Sequence, residues 1–567
     1  MSDADRTAIR QRIRSQITGP GGFCELARED VRGNSLNVFK NRKRSLREML
    51  AASAAQGDVE YLVEGDRRIT YAEHVRLVGS VAAALRDRYG VKKGDRVAIL
   101  AANCAAWPIT FWATVSLGGI VAAMNGWWTA DEIEYGLGDS KPTVLIGDRK
   151  RLARLPDLKV DVPIVEIEDG FVALERHAPD AGLPDVPLAE DDPATILYTS
   201  GTTGRPKGAV GSHRGLVGFV DGAVATGLLG VLVDAEARGD ENALGGARPQ
   251  TVSLAAAPMF HLSGLYGTIL LQLAFGGKLV IRSGRFDPAE VLALMEKERI
   301  TQFTALGAMG HRVGNHPDLL TRDLTSVTHV GFGGAPASPA IQGKMRQAFP
   351  RASQNLGIGY GSSETVSVVA QFGGQDYIDN PEATGFVALG TEVEIRDEEG
   401  NVLPAGQEGK IFSRSAWQML EYWGKPEATA DTIGPDGFLD TGDIGRLDDR
   451  GLLYINSRAR DMILRNAENV YPVEIEYRLD QHPDVRESAV YGIEHPEWGQ
   501  EVHAVVVSES GRGITGDALA GWCGETLAAY KVPTSWEVRP EPLPRNPAGK
   551  VLKSVLRGEA ANVLTED

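Results

Sequence analysis

Residues 198–208 read Tyr198-Thr199-Ser200-Gly201-Thr202-Thr203-Gly204-Arg205-Pro206-Lys207-Gly208. Glycines let backbone N–H groups approach a polyphosphate, the hydroxyls of Thr199, Ser200, Thr202 and Thr203 donate to phosphate oxygens, and Lys207 adds charge. The preceding Ala194-Thr195-Ile196-Leu197 reads as a buried strand, so the loop leaves the end of a sheet. A Walker loop closes on Gly-Lys-Ser/Thr, whereas Pro206 and Gly208 flank the lysine here. The run therefore reads as a phosphate loop of another kind, with a flexible Ser/Gly linker as the plainer alternative.

Working outward, Arg96–Leu100, Ile120–Met124 and Thr143–Gly147 read as strands separated by helical patterns near 108–117 and 130–138. A second series follows at 194–198, 251–257, 278–282, 301–305, 326–331 and 353–359. This βαβ rhythm predicts an α/β fold with largely parallel sheets, arranged as two doubly wound lobes at about 60–190 and 191–384. From about 385 to 457 short alternating strands predict a small β-barrel-like subdomain. After 460 a compact α+β unit is expected, with a helix starting at Pro472, strands at 488–493 and 501–507, and a helix after Asp517. Residues 1–60 are polar and helix-leaning, and their basic run Lys40–Arg44 reads as solvated surface. Residues 232–250 read as a surface excursion.

The bulk numbers narrow the classes. A chain of 567 residues exceeds one core, and its 66 glycines, about 12% against roughly 7% typically, favour tight turns and backbone-lined sites. A net charge of −17 argues against a broad nucleic-acid surface. Three scattered cysteines indicate neither a disulfide framework nor a zinc site. The start lacks a signal-peptide core, and the apolar stretch Trp107–Trp128 is broken by Pro108, Gly118, Gly119 and Asn125. It reads as a buried helix turning into a strand, so no integral membrane segment is expected and the protein is predicted to be cytoplasmic.

Four clusters accompany the phosphate loop. Pro258-Met259-Phe260-His261 ends a strand. Tyr360-Gly361-Ser362-Ser363-Glu364 places a carboxylate after a glycine-rich strand end, where it suits the Mg²⁺ of a nucleotide triphosphate or simply caps a helix. Asp440-Thr441-Gly442-Asp443 offers a carboxylate for two ribose hydroxyls or forms an ordinary turn. Arg458, Arg460 and the distant Lys550 are basic loop residues, a class usually solvated.

Together, in this order, these clusters and Gly333-Gly334-Ala335-Pro336 resemble the adenylate-forming superfamily of acyl-CoA synthetases, peptide-synthetase adenylation domains and luciferases, from about Thr70 to Lys550. The resemblance implies an N-terminal adenylation domain over 1–457, a hinge at 458–460 and a mobile C-terminal domain over 461–567. It further implies that a carboxylic acid and ATP give acyl-AMP and pyrophosphate, and that the acyl group passes to CoA. By the same resemblance, Thr199, Ser200, Gly201, Thr202, Thr203, Gly204 and Lys207 hold the β- and γ-phosphates, and Glu364 binds Mg²⁺. Gly333, Gly334, Ala335, Tyr360, Gly361 and Ser363 frame the nucleotide, Asp443 holds the ribose, and Arg458 reaches the nucleotide. Lys550 sits between carboxylate and α-phosphate, so the implied catalytic set is Lys550, Glu364, Thr202, His261 and Arg458.

Two departures stand out. The hinge reads Ser457-Arg458-Ala459-Arg460 instead of Gly-Arg-x-Lys/Asp, with Arg460 keeping a hinge charge. The loop at the implied CoA tunnel reads Asn466-Ala467-Glu468 where Gly-Gly is usual, and an added methyl crowds a pantetheine arm or asks for another backbone angle. The implied acyl pocket is bounded by His261, Gly307, Ala308, Gly310, Gly331 and Gly333. Its small residues leave room for a bulky or long apolar acid, or permit close helix packing. An apolar acid, aliphatic or ring-bearing, is the expected substrate and CoA the expected acceptor. The alternatives are an acyl-AMP ligase serving a carrier-protein thiol or an amine, and a nucleotide-binding pseudoenzyme regulator. A homo-oligomer is compatible with all three.

Overall fold

A computed structural model describes residues 3–155, 161–199, 205–240, 245, 249–284, 286–306, 309–334, 337–465, 468–508, 513–546 and 549–559. Two sheets build the large N-terminal part. In the six-stranded sheet, Arg96–Leu100 lies between Ile120–Ala123 and Val144–Gly147, all parallel. Pro193–Thr199 joins this set in parallel and then turns back into Lys207–Ser212 at the sheet's edge, with Thr199 opposite Lys207. The opening run is thus the connection of an edge hairpin.

The larger sheet links thirteen strands among the described residues. Its middle is parallel: Glu60–Glu64, Lys278–Ile281, Val252–Ala255, Gln302–Leu306, His329–Gly333 and Leu356–Gly361 run side by side. Their carboxyl ends therefore share one edge, which is where ligands bind in open α/β sheets. Val368–Gly373 and Gly385–Val387 continue the sheet antiparallel, and Leu452–Arg458, Leu439–Leu447, Gly409–Arg414 and Glu392–Arg396 extend it further. The β-rich region after 385 is thus hydrogen-bonded onto the second sheet.

The sheets exchange strands relative to the simple order of two consecutive lobes. Glu60–Glu64 and Arg67–Thr70 belong to the larger sheet, and Pro193–Ser212 supplies two strands to the smaller one. The apolar stretch after Ala106 is a buried helix, Ala106–Ser116, followed by the strand Ile120–Ala123, as its composition suggests. Trp107, Trp112 and Phe111 are fully enclosed, so this helix is apolar all round because it is core.

Three local expectations are corrected. Residues 1–60 hold the helices Asp3–Thr18 and Leu46–Ser53, but between them runs a hairpin, Leu26–Val31 with Asn34–Phe39. The basic run is not simply solvated: Arg42 is buried and pairs with Glu29 and Glu190 at 2.7 and 2.6 Å. The expected excursion from 232 is helix as far as Arg238, part of His213–Arg238. Ser212 caps that helix by accepting from Gly215 N–H at 3.0 Å, and Gly239 ends it at φ 69°. This helix is long and apolar enough to cross a membrane, and half of its apolar window is buried within the protein.

The small C-terminal part is a mixed sheet. Val485–His495 and Gly499–Ser508 form its central hairpin, and Ser535–Arg539 pairs in parallel. Helices Pro472–Asp480 and Gly516–Gly524 bury Ile475, Leu479, Leu519 and Cys523 against Val490 and Val502. Cys24, Cys104 and Cys523 are all free thiols.

Candidate active site

The carboxyl edge of the larger sheet brings distant residues together. Tyr360 ends the strand Leu356–Gly361, and its hydroxyl donates to Asp443 Oδ2 at 2.5 Å. Asp443 lies directly opposite Arg458 across an antiparallel pair, so the two side chains share a face. Arg458 Nε meets Asp443 Oδ1 at 2.9 Å. Burial raises the Asp443 carboxyl above its ordinary value, opposed by Arg458, the Tyr360 hydroxyl and Lys550. Burial beside that carboxylate keeps the Tyr360 phenol protonated. The result is a fixed, oriented acceptor at the sheet edge.

Glycines bare the same edge. A Cβ at Gly331 would touch Thr304 at 3.6 Å, and one at Gly333 would touch Leu306 at 3.6 Å, both ordinary contacts. Glycine there leaves a flat strand surface open; it does not relieve a clash. Gly361 differs, because its Cβ would fall 2.4 Å from the Ser367 carbonyl oxygen, so close backbone approach dictates it. Gly334 takes φ +72°, a turn that bulkier residues resist. Ser363 accepts from Val366 N–H through its carbonyl in the turn that follows.

At the phosphate end, the Thr199 hydroxyl donates to the Lys207 carbonyl at 3.3 Å and closes the hairpin neck. Lys207 Nζ stands 5.1 Å from the centre of the Tyr422 ring, and the Tyr422 hydroxyl donates to Glu364 Oε1 at 2.9 Å. One tyrosine thereby couples the loop's lysine to the carboxylate. Sequence reasoning missed Tyr422, because Tyr422-Trp423-Gly424 carries no chemical signature of its own. Ser200, Gly201, Thr202, Thr203 and Gly204 lie outside the described residues, as do Gly307, Ala308, Ala335, Asn466 and Ala467.

Lys550 comes from the C-terminal part on a tight loop in which Asn546 Oδ1 accepts from the Lys550 N–H at 2.9 Å. The side chain is exposed to solvent, yet protein crowds around its ammonium. That crowding lowers its ammonium below the ordinary lysine value; Arg458 and Arg460 push the same way, while Asp443 and Glu364 oppose them. Lys550 therefore sits within electrostatic reach of the nucleotide-site candidates from both sheet edge and hinge. His261 follows the strand Val252–Ala255 and stacks obliquely on Phe260, with ring centres 4.8 Å apart. Burial, aided by Lys550, pushes its imidazole down to about 4, so it is neutral at pH 7.

A cleft of about 930 Å³ opens between the two parts of the chain beside Gly549. Pro258, Phe260, Leu306 and Met309 form an apolar wall, while Lys150, Arg151, Arg312 and Arg486 bring positive charge to its lining. Gly310, on the same helix as Met309, turns toward Ala305 and Ile341, each 3.5 Å from a Cβ placed there. Arg460 lies in the single turn Ala459–Asp461 after the strand that carries Arg458. Glu468 is exposed at the start of the strand Glu468–Val470. Near this junction Glu408 accepts from both Asn456 and Tyr471, tying the two parts together.

Comparison with known proteins matches the chain to a family. The AMP-binding enzyme family aligns over residues 50–423, and the AMP-binding enzyme C-terminal domain over 474–550. Feruloyl-CoA synthase from an Amycolatopsis species is 33% identical over 493 residues, covering 87% of this chain and 94% of that protein. Long-chain-fatty-acid–CoA ligase FadD13 from Mycobacterium tuberculosis is 31% identical, covering 87% and 93%. The solved anthranilate CoA ligase AuaEII in complex with anthranoyl-AMP superposes with a TM-score of 0.81 at 25% identity, covering 91% and 97%. A chain whose sheet edge carries Tyr360, Asp443 and Glu364, with Lys550 coming from a second part, thus has its family: the protein belongs to the AMP-binding enzymes of the adenylate-forming superfamily and is an ATP-dependent acid–thiol ligase.

Proposed function

We propose that this ligase activates an apolar carboxylic acid, aliphatic or ring-bearing, as its acyl-adenylate and transfers the acyl group to CoA. The observation that carries the reading is Lys550, drawn from the C-terminal part to the Asp443–Arg458–Tyr360 cluster. Adenylation must bring a carboxylate anion against a triphosphate. A lysine between them neutralises charge that gathers as the acyl oxygen attacks the α-phosphorus and pyrophosphate leaves. Asp443 accepts from the ribose, Arg458 holds Asp443 in place, and Lys207 with the Thr199–Gly204 run takes the departing phosphates.

Glu364 fits a Mg²⁺ site of the usual nucleotide kind, in which one or two carboxylates act with substrate phosphates and waters. Tyr422 orients one of its oxygens, and no cluster of three or more metal-ligating side chains occurs among the described residues. The ion would supply charge neutralisation to the β- and γ-phosphates. Neutral His261 and Phe260 offer an apolar face next to the reacting carboxylate, and the wall of Pro258, Leu306 and Met309 suits an apolar acyl body. Positive charge along the cleft suits the phosphorylated end of CoA.

Carboxylate-dependent ATP–pyrophosphate exchange over a panel of fatty, aromatic and amino acids, run with and without CoA, tests the reading. Exchange with apolar acids plus CoA-dependent thioester and AMP is the expected result. Exchange that never yields a CoA thioester would overturn the acceptor, and exchange confined to amino acids or diacids would overturn the substrate class.

A further inference from the structure

A second cavity, of about 550 Å³, lies at the opposite end of the strands that carry the site. It opens beside His329 and Leu356, the first residues of the strands that end at Gly333 and Gly361. At about 3.3 Å per residue, the strand His329–Gly333 separates it from the catalytic edge by roughly 13 Å. Its volume falls within the roughly 300–1,000 Å³ of small-molecule pockets.

Two helices form its walls. The N-terminal helix Asp3–Thr18 contributes Thr7, Arg10, Gln11 and Arg14, one face at helical spacing. The helix His213–Arg238 contributes Ala223, Thr226, Gly227, Gly230 and Asp234, again one face. Glycine in a helix interior is unfavourable and normally has a packing reason. Gly215 and Gly218 on this helix have one, since a Cβ at either would strike Trp417 at 2.8 and 2.7 Å. Gly227 and Gly230 have none: a Cβ at either meets nothing within 4 Å. Both border the cavity, Gly227 where it opens to solvent.

The charges are unbalanced in a defined way. Asp376 is taken by Arg6, at 2.6 Å, and by Arg10, and Asp234 is also taken by Arg6. Arg10 lies over the Phe386 ring, 4.1 Å from its centre. Arg14, one turn further along, lines the cavity with no ion pair or hydrogen bond to its guanidinium among the described residues. The residue is solvent-exposed, at the mouth of the cavity, and the protein crowding its guanidinium lowers it with no carboxylate offsetting the shift. The rest of the lining is mainly apolar, with Phe372, Phe386, Leu389 and Leu447.

We propose that this cavity is a second, non-catalytic binding site for a small amphipathic anion, its apolar body lying against Gly227, Gly230 and Phe386 and its single carboxylate or phosphate head meeting Arg14. Arg10 and Arg14 precede the residues matched by the family, whereas Gly227, Gly230 and Phe386 lie within them, so the proposed head-group contact comes from outside the matched segment.

The full-length protein is crystallised with 10-bromodecanoate, and binding of decanoate, decyl phosphate and decanol is measured by equilibrium dialysis, with the catalytic pocket filled by an acyl-sulfamoyl-adenosine. A bromine anomalous peak between Gly230 and Phe386 is expected. Gly230→Leu, which fills the space and favours helix, should weaken decanoate at least tenfold while leaving basal ligase turnover unchanged. Arg14→Ala should weaken both anions about tenfold and leave decanol unaffected, and whichever anion binds wild type more tightly identifies the head group. A peak confined to the catalytic cleft, or isotherms identical in wild type and Arg14→Ala, would overturn the site.

Discussion

Lys550 and Tyr422 are of opposite kinds at the level of single residues. Lys550 was legible from its loop and its resemblance, whereas its electrostatic setting among Arg458, Arg460, Asp443 and Glu364 exists only in the folded chain. Replacing it with alanine removes one oriented cation, so carboxylate-dependent ATP–pyrophosphate exchange should fall by about 10²–10³-fold. ATP binding should survive, because Asp443, Arg458 and Lys207 remain. Tyr422 tells the converse story. It carries no motif, yet its hydroxyl holds Glu364 and its ring faces Lys207. A hydrogen bond to a charged group contributes about 1.5–3 kcal/mol, so Tyr422→Phe should raise the KM for Mg·ATP about tenfold or more. A titration of exchange rate against Mg·ATP measures it, and an unchanged KM would show that the tyrosine does not orient the carboxylate.

At the scale of elements, the strands were readable because each is a short apolar run bounded by turns, and their positions in the parallel series agree closely with the structure. Which sheet a strand joins was not readable. Glu60–Glu64 pairs with Lys278–Ile281, more than two hundred residues later, through backbone groups that every sequence possesses. The N-terminal hairpin Leu26–Phe39 is a similar case. Its polar sequence resembles surface, but Val31, Leu36, Val38 and Phe39 pack with Leu229, Leu389 and Trp417. Arg42 locks the end of this hairpin through Glu29 and Glu190. Removing one partner of a buried pair costs about 3–5 kcal/mol, and Glu29 is 38% exposed, which lowers the figure. Arg42→Ala should therefore destabilise the N-terminal part by about 2–3 kcal/mol, seen as a lower urea midpoint in equilibrium unfolding with activity retained below the transition.

For the whole molecule, the contact between the two parts of the chain is itself titratable. Asp480, at the end of the helix Pro472–Asp480, accepts from the Ser488 hydroxyl at 3.3 Å and feels Ser338 of the N-terminal part, which helps hold its carboxyl down. Burial raises its carboxyl to about 6 from the ordinary 3.8, with Glu476 adding and the two serines and Lys344 opposing. A carboxyl whose value is raised by docking favours the docked arrangement when protonated. That contribution is fully present below about pH 4 and is lost as the pH rises through about 6. The arrangement that presents Lys550 should accordingly be more populated at pH 5.5 than at pH 7.5. Fluorescence energy transfer between dyes on the two parts should report this, and Asp480→Asn should flatten the profile. An unchanged profile in the variant would place the titration elsewhere.

By itself the sequence determined the α/β class from local periodicity and, through its resemblance to a known family, the adenylate-forming chemistry. The tertiary structure decided the rest: that the loop closes an edge hairpin at Lys207, that Tyr422 joins it to Glu364, and that Asp443 faces Arg458 across a strand pair. It also decided that Gly227 and Gly230 border an open cavity while Gly215 and Gly218 merely receive Trp417. The physical reason is common to all of these. Local patterns constrain a few dihedrals and one buried face, whereas strand partners, ion-pair partners and empty space are set by chain segments hundreds of residues apart.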